Sequence, residues 1–218
     1  HKQLGTLASI SLWEVEEPSR LGVADYDSES NLIRRFQEKP PREEAYSNLI
    51  NAGTYLLEPE VFDRMPEGAF SMERVVFPVL AEGGELSGFP FEGHFVDAGT
   101  PTSYIEATQT SIRNHAWVSG ESAEGGNWFG ESVSVASDAS ISGSGMDSGC
   151  QVAEGTTIVS SALLTDVTVS SGCKISGCMI GHNASIGANS ILDDVVVDHG
   201  AIVPSGHVQN GGVFPTAD

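Results

Sequence analysis

Ile180-Gly-His-Asn-Ala-Ser-Ile186-Gly-Ala-Asn-Ser-Ile191 carries the pattern that decides the fold of the second half of this chain. From about Val133 to Val203, apolar residues recur six apart: Val135 and Ile141, then Met146, Val152, Ile158 and Leu164. The beat resumes at Val169 and Ile175, then Ile180, Ile186 and Leu192, then Val197 and Val203, with Gly, Ser, Ala, Asn, Asp and Thr in the intervals. A beat of six fits neither a helix nor a lone strand. It fits a coil of three short parallel strands, each pointing one apolar side chain into a narrow prism, which is a parallel β-helix. Each coil buries its faces only against its neighbours, so the array stands or falls together. A Ser/Gly-rich disordered linker would have no reason to keep a regular Val/Ile/Leu beat.

Ahead of this array the chain changes character. Leu7–Val15, Gly22–Tyr26 and Leu32–Glu38 read as strands, the last two as a hairpin around Asp27-Ser-Glu-Ser-Asn31. Leu49–Leu57 is near-continuously apolar, like a strand buried on both faces. Glu58-Pro59-Glu60 opens a short helix, and Ser71 caps another running through Val75 to Ala81 and stopped by Gly83-Gly84. Leu86–Phe91 and His94–Asp97 read as two strands turned at Glu92-Gly93. Thr100 caps a helix whose first residue is Pro101 and whose face carries Ile105, Thr108 and Ile112. The expected division is an α/β unit with a mixed sheet over 1–115, a connector over 116–132, and the β-helix over 133–218.

Composition narrows the classes of function. With 30 acidic residues against 10 basic ones, the formal net charge is −20. A nucleic-acid partner, which needs a basic face, is excluded, and so is a membrane surface. The acids are scattered, as on a solvated surface. A cytoplasm of molar salt would explain them, because screening there shortens the Debye length to about 3 Å. Cys150, Cys173 and Cys178 are odd in number and lie inside the repeat, as small buried residues of a reducing compartment do; a Cys173/Cys178 metal pair has no second pair to complete it. The chain starts at His1 and runs directly into a strand of interior character, so a piece of a longer chain is expected, although a processed terminus would look the same.

Three motifs in the first unit sit at the ends of expected strands, where open α/β sheets place their ligand crevices. They are Phe36-Gln-Glu38-Lys39-Pro40, Asn48-Leu-Ile-Asn51-Ala52-Gly53 and Phe95-Val-Asp97-Ala-Gly99-Thr100-Pro101. Glu38 can accept from sugar hydroxyls and Lys39 can neutralise a phosphate, or the two form a surface pair before a proline turn. Asn51 has both a donor and an acceptor in an apolar strand, to be met by a ligand hydroxyl or by neighbouring backbone. Gly53 would let a ligand approach the backbone. Asp97 can give Mg²⁺ one carboxylate ligand, or simply favour a helix N-terminus.

With Pro18-Ser-Arg20-Leu21-Gly22-Val23 ahead of them, the order and spacing of these motifs resemble the sugar-phosphate half of nucleoside-diphosphate-sugar pyrophosphorylases. That family holds mannose-1-phosphate guanylyltransferases and glucose-1-phosphate thymidylyltransferases, and many members carry a C-terminal hexapeptide β-helix. The left-handedness expected of the β-helix comes from this kind of resemblance, since the usual crossover is right-handed. The resemblance implies that Gly22 presents backbone to the sugar, Glu38 binds its hydroxyls, Lys39 its phosphate, and Asn51 and Gly53 line the pocket. Asp97 would be one of two carboxylates holding Mg²⁺. The implied reaction is attack of a sugar 1-phosphate on the α-phosphate of a nucleoside triphosphate (NTP), releasing pyrophosphate. Leu21 stands where members have Tyr. The family's Gly-rich triphosphate loop, its Pro-Lys motif and its other metal-binding Asp have no counterpart here. The chain alone is therefore expected not to bind nucleotide productively, and the sheet to lack partner strands and expose an edge.

Two other classes stay open. Hexapeptide acyltransferases use a His between coils as base, and His182, His199 and His207 lie in the array, although turns and outer faces also suit a solvated His. The array could also serve as a homo-oligomerisation stalk, its flat faces packing on copies of themselves.

Overall fold

The computed structural model describes residues 1–114, 122–123 and 126–215. The chain forms two compact units, His1–Phe95 and Val96–Asp218. Parts of the expected connector, 116–121 and 124–125, lie outside the described residues.

The first unit is a mixed five-stranded sheet: β1 (Ala8–Glu14), β2 (Gly22–Asp27), β3 (Leu32–Glu38), β4 (Leu49–Leu57) and β5 (Leu86–Pro90). The strands follow one another in the ring β1-β4-β2-β3-β5, with β5 parallel to β1 and touching β3 through Leu32 and Ser87. The expected exposed edge is therefore absent among these strands. The long-range pairing of β5 supplies neighbours to both β1 and β3, and no local pattern foretells it. β2 and β3 form the expected hairpin. One face of the sheet packs on α1 (Phe77–Glu82) through Ile10, Leu12, Ile33, Phe36, Phe77 and Leu80. Ser71 caps the turn of Met72–Val76 that leads into α1, accepting the Arg74 N–H at 3.2 Å.

Two readings fail here. β4 is not buried on both faces: Ile50 is buried, but Leu56 is 57% exposed. His94–Asp97 is not a strand. Gly93, at φ +132°, turns the chain away, and Phe91 and Phe95 lie against Trp13 at ring distances of 5.0 and 6.0 Å. Those apolar residues are consumed by aromatic packing rather than by strand alternation.

In the second unit, α2 (Pro101–Asn114) begins as the sequence indicates. Thr100 and Ser103 cap it reciprocally, each side-chain oxygen accepting the other's backbone N–H. Beyond it the chain winds into three sheets, two of five parallel strands and one of seven, in which Ser122–Ala123 runs antiparallel to Asn127–Phe129 and the rest are parallel. Each coil lies 17 residues after the last, as in the ladder Val135, Val152, Val169, Ile186, Val203. Two sides of the prism advance the apolar residue by six and one by five. That short side replaces the expected Leu164 with Leu163, which pairs with Met146 and Ile180 and is buried. The interior is one continuous apolar column. The strip of α2 carrying Thr108 lies on the first coils; a Cβ added at Gly145 would stand 2.6 Å from the Thr108 methyl carbon, which is why glycine occupies that position.

Candidate functional site

Gly22 opens β2 and Glu38 closes β3, and the hairpin register makes them partners. A Cβ at Gly22 would stand 2.5 Å from Phe36 Cζ and 3.0 Å from Glu38 Oε2. Glycine thus leaves the Glu38 carboxylate room beside bare backbone. Lys39 follows with its N–H donated to Leu21 O at 3.0 Å and its Nζ 3.6 Å from Glu38 Oε1. The Lys39 side chain is 56% exposed and that of Glu38 14%. Lys39 is held at φ +51°, in the left-handed region, immediately before Pro40. Such a conformation costs a non-glycine residue about 1 kcal/mol or more.

Val23 pairs with Ile50 on β4, so Asn51 enters at the same end of the sheet on the adjacent strand. Its amide is held at both ends: Nδ2 donates to the Tyr55 hydroxyl at 2.7 Å and Oδ1 accepts the Gly53 N–H at 2.9 Å. In a regular strand Asn51 and Tyr55 would be about 13 Å apart. The irregularity of β4 between Leu12↔Asn51 and Ile10↔Tyr55 folds them together, with Gly53 at φ +79°. A Cβ at Gly53 would meet nothing within 4 Å, so its backbone is open.

Tyr55 is a residue that sequence reasoning missed. Its ring lies edge-on to the buried Phe77 at 5.1 Å. Burial pushes its phenol above the ordinary value of 10.0; the Asn51 bond works against this, while the Glu73 and Glu38 carboxylates add to it. Glu73 in turn accepts from Ser71 Oγ at 2.7 Å. Glycine inside a strand was the available signal, because it commonly marks a bulge.

The structure thus brings Gly22 and Glu38 together where β2 begins and β3 ends, with Lys39 next in the chain, and sets Asn51 and Gly53 beside them within the adjacent β4. Asp97 belongs to the second compact unit, exposed in irregular backbone ahead of α2. Among the described residues, no three His, Cys, Asp or Glu side chains gather to hold a metal ion. The Cys173/Cys178 pair is not formed: the Cys173 thiol donates to Gly187 O and the Cys178 thiol to Ser176 O. The histidines serve the coils. His182 Nδ1 accepts the Thr165 N–H, and His199 Nδ1 accepts the His182 N–H at 2.9 Å, with the two rings stacked at 5.0 Å. His207 bonds Gln209 at 3.0 Å. Imidazoles whose Nδ1 is used in this way hold their remaining proton on Nε2 and are not poised there as bases.

Comparison with known proteins adds a decisive observation. The model of the family described as "Nucleotidyl transferase" matches residues 1–114, just over half of the 218. The chain belongs to the nucleotidyl transferase family. A second family model, "GlmU-like, C-terminal hexapeptide", matches residues 131–212, over the coils described above. Among curated relatives, the mannose-1-phosphate guanyltransferase of Schizosaccharomyces pombe is 40% identical over 119 residues, 53% of this chain and 32% of the relative. Mannose-1-phosphate guanyltransferase beta-B of Xenopus laevis is 40% identical over 105 residues, 48% of this chain and 29% of the relative. The Saccharomyces cerevisiae mannose-1-phosphate guanyltransferase is 41% identical over 109 residues, 50% and 30% of the two chains. The matched part thus spans about a third of the length of these relatives. No helix among the described residues is long and apolar enough to cross a membrane.

Proposed function

We propose that this chain supplies the sugar-phosphate half of a sugar-1-phosphate nucleotidyltransferase, roughly residues 1–115, with mannose 1-phosphate as the sugar phosphate. The observation that carries the reading is the meeting of Gly22, Glu38 and Lys39 where β2 begins and β3 ends, beside Asn51 of β4, in a family whose relatives here are named for mannose-1-phosphate guanyl transfer. Glu38 accepts hydrogen bonds from the sugar hydroxyls, and the exposed Lys39 ammonium neutralises the phosphate as a point charge. Asn51 keeps one N–H and one lone pair for the sugar, and Gly53 offers open backbone. The reaction joins the sugar phosphate to a nucleotidyl group of an NTP and releases pyrophosphate, driven mainly by positioning and charge neutralisation.

A divalent ion, Mg²⁺ in our reading, would neutralise phosphate charge in the intact enzyme. Asp97 suits one ligand position, but a single exposed carboxylate cannot fix the ion, and among the described residues no three such side chains gather to hold one. Nothing in the sugar-phosphate binding step depends on it. The reading also puts the protein in a cytoplasm rich in salt, supported by the surplus of acidic residues.

Calorimetric titration tests the site. The purified chain is expected to bind mannose 1-phosphate more tightly than mannose or inorganic phosphate. Lys39→Ala should weaken the sugar phosphate at least tenfold and mannose hardly at all. Equal binding of phosphate and sugar phosphate, or indifference to Lys39→Ala, would refute the assignment.

A further inference from the structure

α2 does not seal the coils it lies on. On one face of the prism the outward side chains run Trp128, Gly145, Ala162 and Met179 from coil to coil. The two small ones let the helix in. Both are buried, and Gln109 Nε2 of α2 donates to Gly143 O at 3.2 Å. The order large, small, small, large leaves a notch beside the helix. It is a cleft of about 190 Å³ between Tyr104 and Thr108 of α2 and Trp128, Gly145, Asp147 and Ala162 of the coils. That volume holds about six waters at roughly 30 Å³ each. It has room for a single sugar ring and too little for a nucleotide.

The lining of the cleft is chemically unfinished. The Trp128 indole N–H is buried and has no hydrogen-bond partner, whereas a buried Trp N–H ordinarily finds one. The Asp147 carboxylate is anionic. The Ser148 N–H, donated to Oδ1 at 2.7 Å, and the Thr165 hydroxyl, donated to Oδ2 at 2.8 Å, hold it below the ordinary carboxylate value. Each of its oxygens keeps a lone pair. The Thr108 hydroxyl is already spent on Tyr104 O at 2.9 Å.

These groups select a ligand. An indole offers an apolar plate with one donor at its rim. A carboxylate beside it accepts from hydroxyls through charge-assisted bonds. Together they match a small molecule with C–H faces and several hydroxyls. Charge narrows the class, since a carboxylate in a chain of net charge −20 repels a phosphate. We propose that the cleft between α2 and the first coils binds a neutral sugar or polyol of one ring or less, which accepts from the Trp128 N–H and donates to Asp147. Bound there, it ties α2 to the coils. The site has the opposite charge preference from the one around Lys39 and does not depend on that reading.

The Trp128 N–H reports on its own occupancy. Among the indole N–H resonances of the isotope-labelled chain, the one lost in Trp128→Phe belongs to Trp128. Titration with mannose should shift that resonance saturably, and mannose 1-phosphate should need at least tenfold more to do so. The mannose shift should persist in Glu38→Ala, which removes hydroxyl contacts of the other site. Ala162→Leu fills the cleft and should abolish the shift. Asp147→Asn, which keeps the shape and removes the charge, should raise the dissociation constant about tenfold, as loss of a hydrogen bond to a charged group does. A resonance that mannose leaves in place at every concentration would overturn the proposal and make the cleft a water site. Equal response to mannose 1-phosphate, an unchanged affinity in Asp147→Asn, or loss of the shift in Glu38→Ala would overturn it as well.

Discussion

Lys39 sets function against stability within a single residue. Its ammonium is the positive charge of the proposed phosphate site, yet its backbone lies at φ +51°, where glycine alone is at ease. Its ion pair with Glu38, long at 3.6 Å and solvated, contributes little. Lys39→Gly is therefore expected to raise stability by up to about 1 kcal/mol while abolishing the preference for sugar phosphate over sugar. Denaturant unfolding beside titration with mannose 1-phosphate checks both signs. A variant that loses stability as well as binding would show that Lys39 is a structural residue. Cys178 argues differently. Its sulfur accepts the buried Val195 N–H at 3.5 Å, the last rung of a ladder in which Ser161, Ser144 and Asn127 oxygens each receive the N–H 17 residues on. Cys178→Ser keeps an acceptor and should be tolerated. Cys178→Ala strands the N–H and should cost about 1–3 kcal/mol. Burial pushes the Cys178 thiol up to about 11 from its ordinary 9.0. The folded thiol holds its proton more tightly than the unfolded one, so this contribution is whole below pH 9 and fades as pH rises toward 11. Alkylation of Cys178 at pH 8 should accordingly be slow until urea unfolds the chain, and rapid native alkylation would contradict the packing.

The coils and strands divide by how local their causes are. The apolar beat is written in consecutive residues, so the β-helix was legible, as were the limits of β3 and β4 and the cap of α2. The 17-residue coil was not, because a prism side shortened by one moves the buried position from Leu164 to Leu163, and two adjacent leucines look alike in sequence. The candidate site divides in the same way. Gly22, Glu38 and Lys39 are a hairpin register apart and could be read together. The clasp of Tyr55 on Asn51 depends on a bulge whose partner strand lies some 40 residues earlier, and Glu73 reaches it from the turn before α1. Close stacking of coils makes a sharp prediction. A Cβ at Gly187 would stand 2.4 Å from Ser205 N, backbone against backbone with no side chain to swing aside. Gly187→Ala should therefore cost about 1–3 kcal/mol. Gly200→Ala, where the added carbon meets nothing within 4 Å, should pay only the strain of its positive φ. Thermal unfolding of the two variants should rank them in that order; the reverse would mean the coils can part locally without loss.

Charge acts on the chain as a whole. Thirty acidic residues face ten basic ones, and the ion pairs present, such as Arg35 with Asp25 and Arg64 with Glu85, leave most carboxylates without a cation. Exposed pairs add little, so the summed repulsion of the surplus outweighs them, and it opposes compactness. Screening is the remedy: the Debye length falls from about 10 Å at 0.1 M salt to about 3 Å at 1 M. The melting temperature should rise steeply with KCl at low concentration, as long-range repulsion is screened. Beyond molar salt, where only near neighbours interact, it should rise more slowly. Lys39 stands in this same acidic field, so an anionic sugar phosphate should bind more tightly as the first few hundred millimolar of salt are added, against the usual weakening of an ion pair. Neutral mannose should show no such trend. Sucrose at matched osmolality separates screening from solvent exclusion, since it strengthens burial without touching charge. A melting temperature that rises with sucrose and stays flat in KCl would mean that the carboxylates are spaced too widely to repel. The acidity would then be a property of solubility rather than of stability.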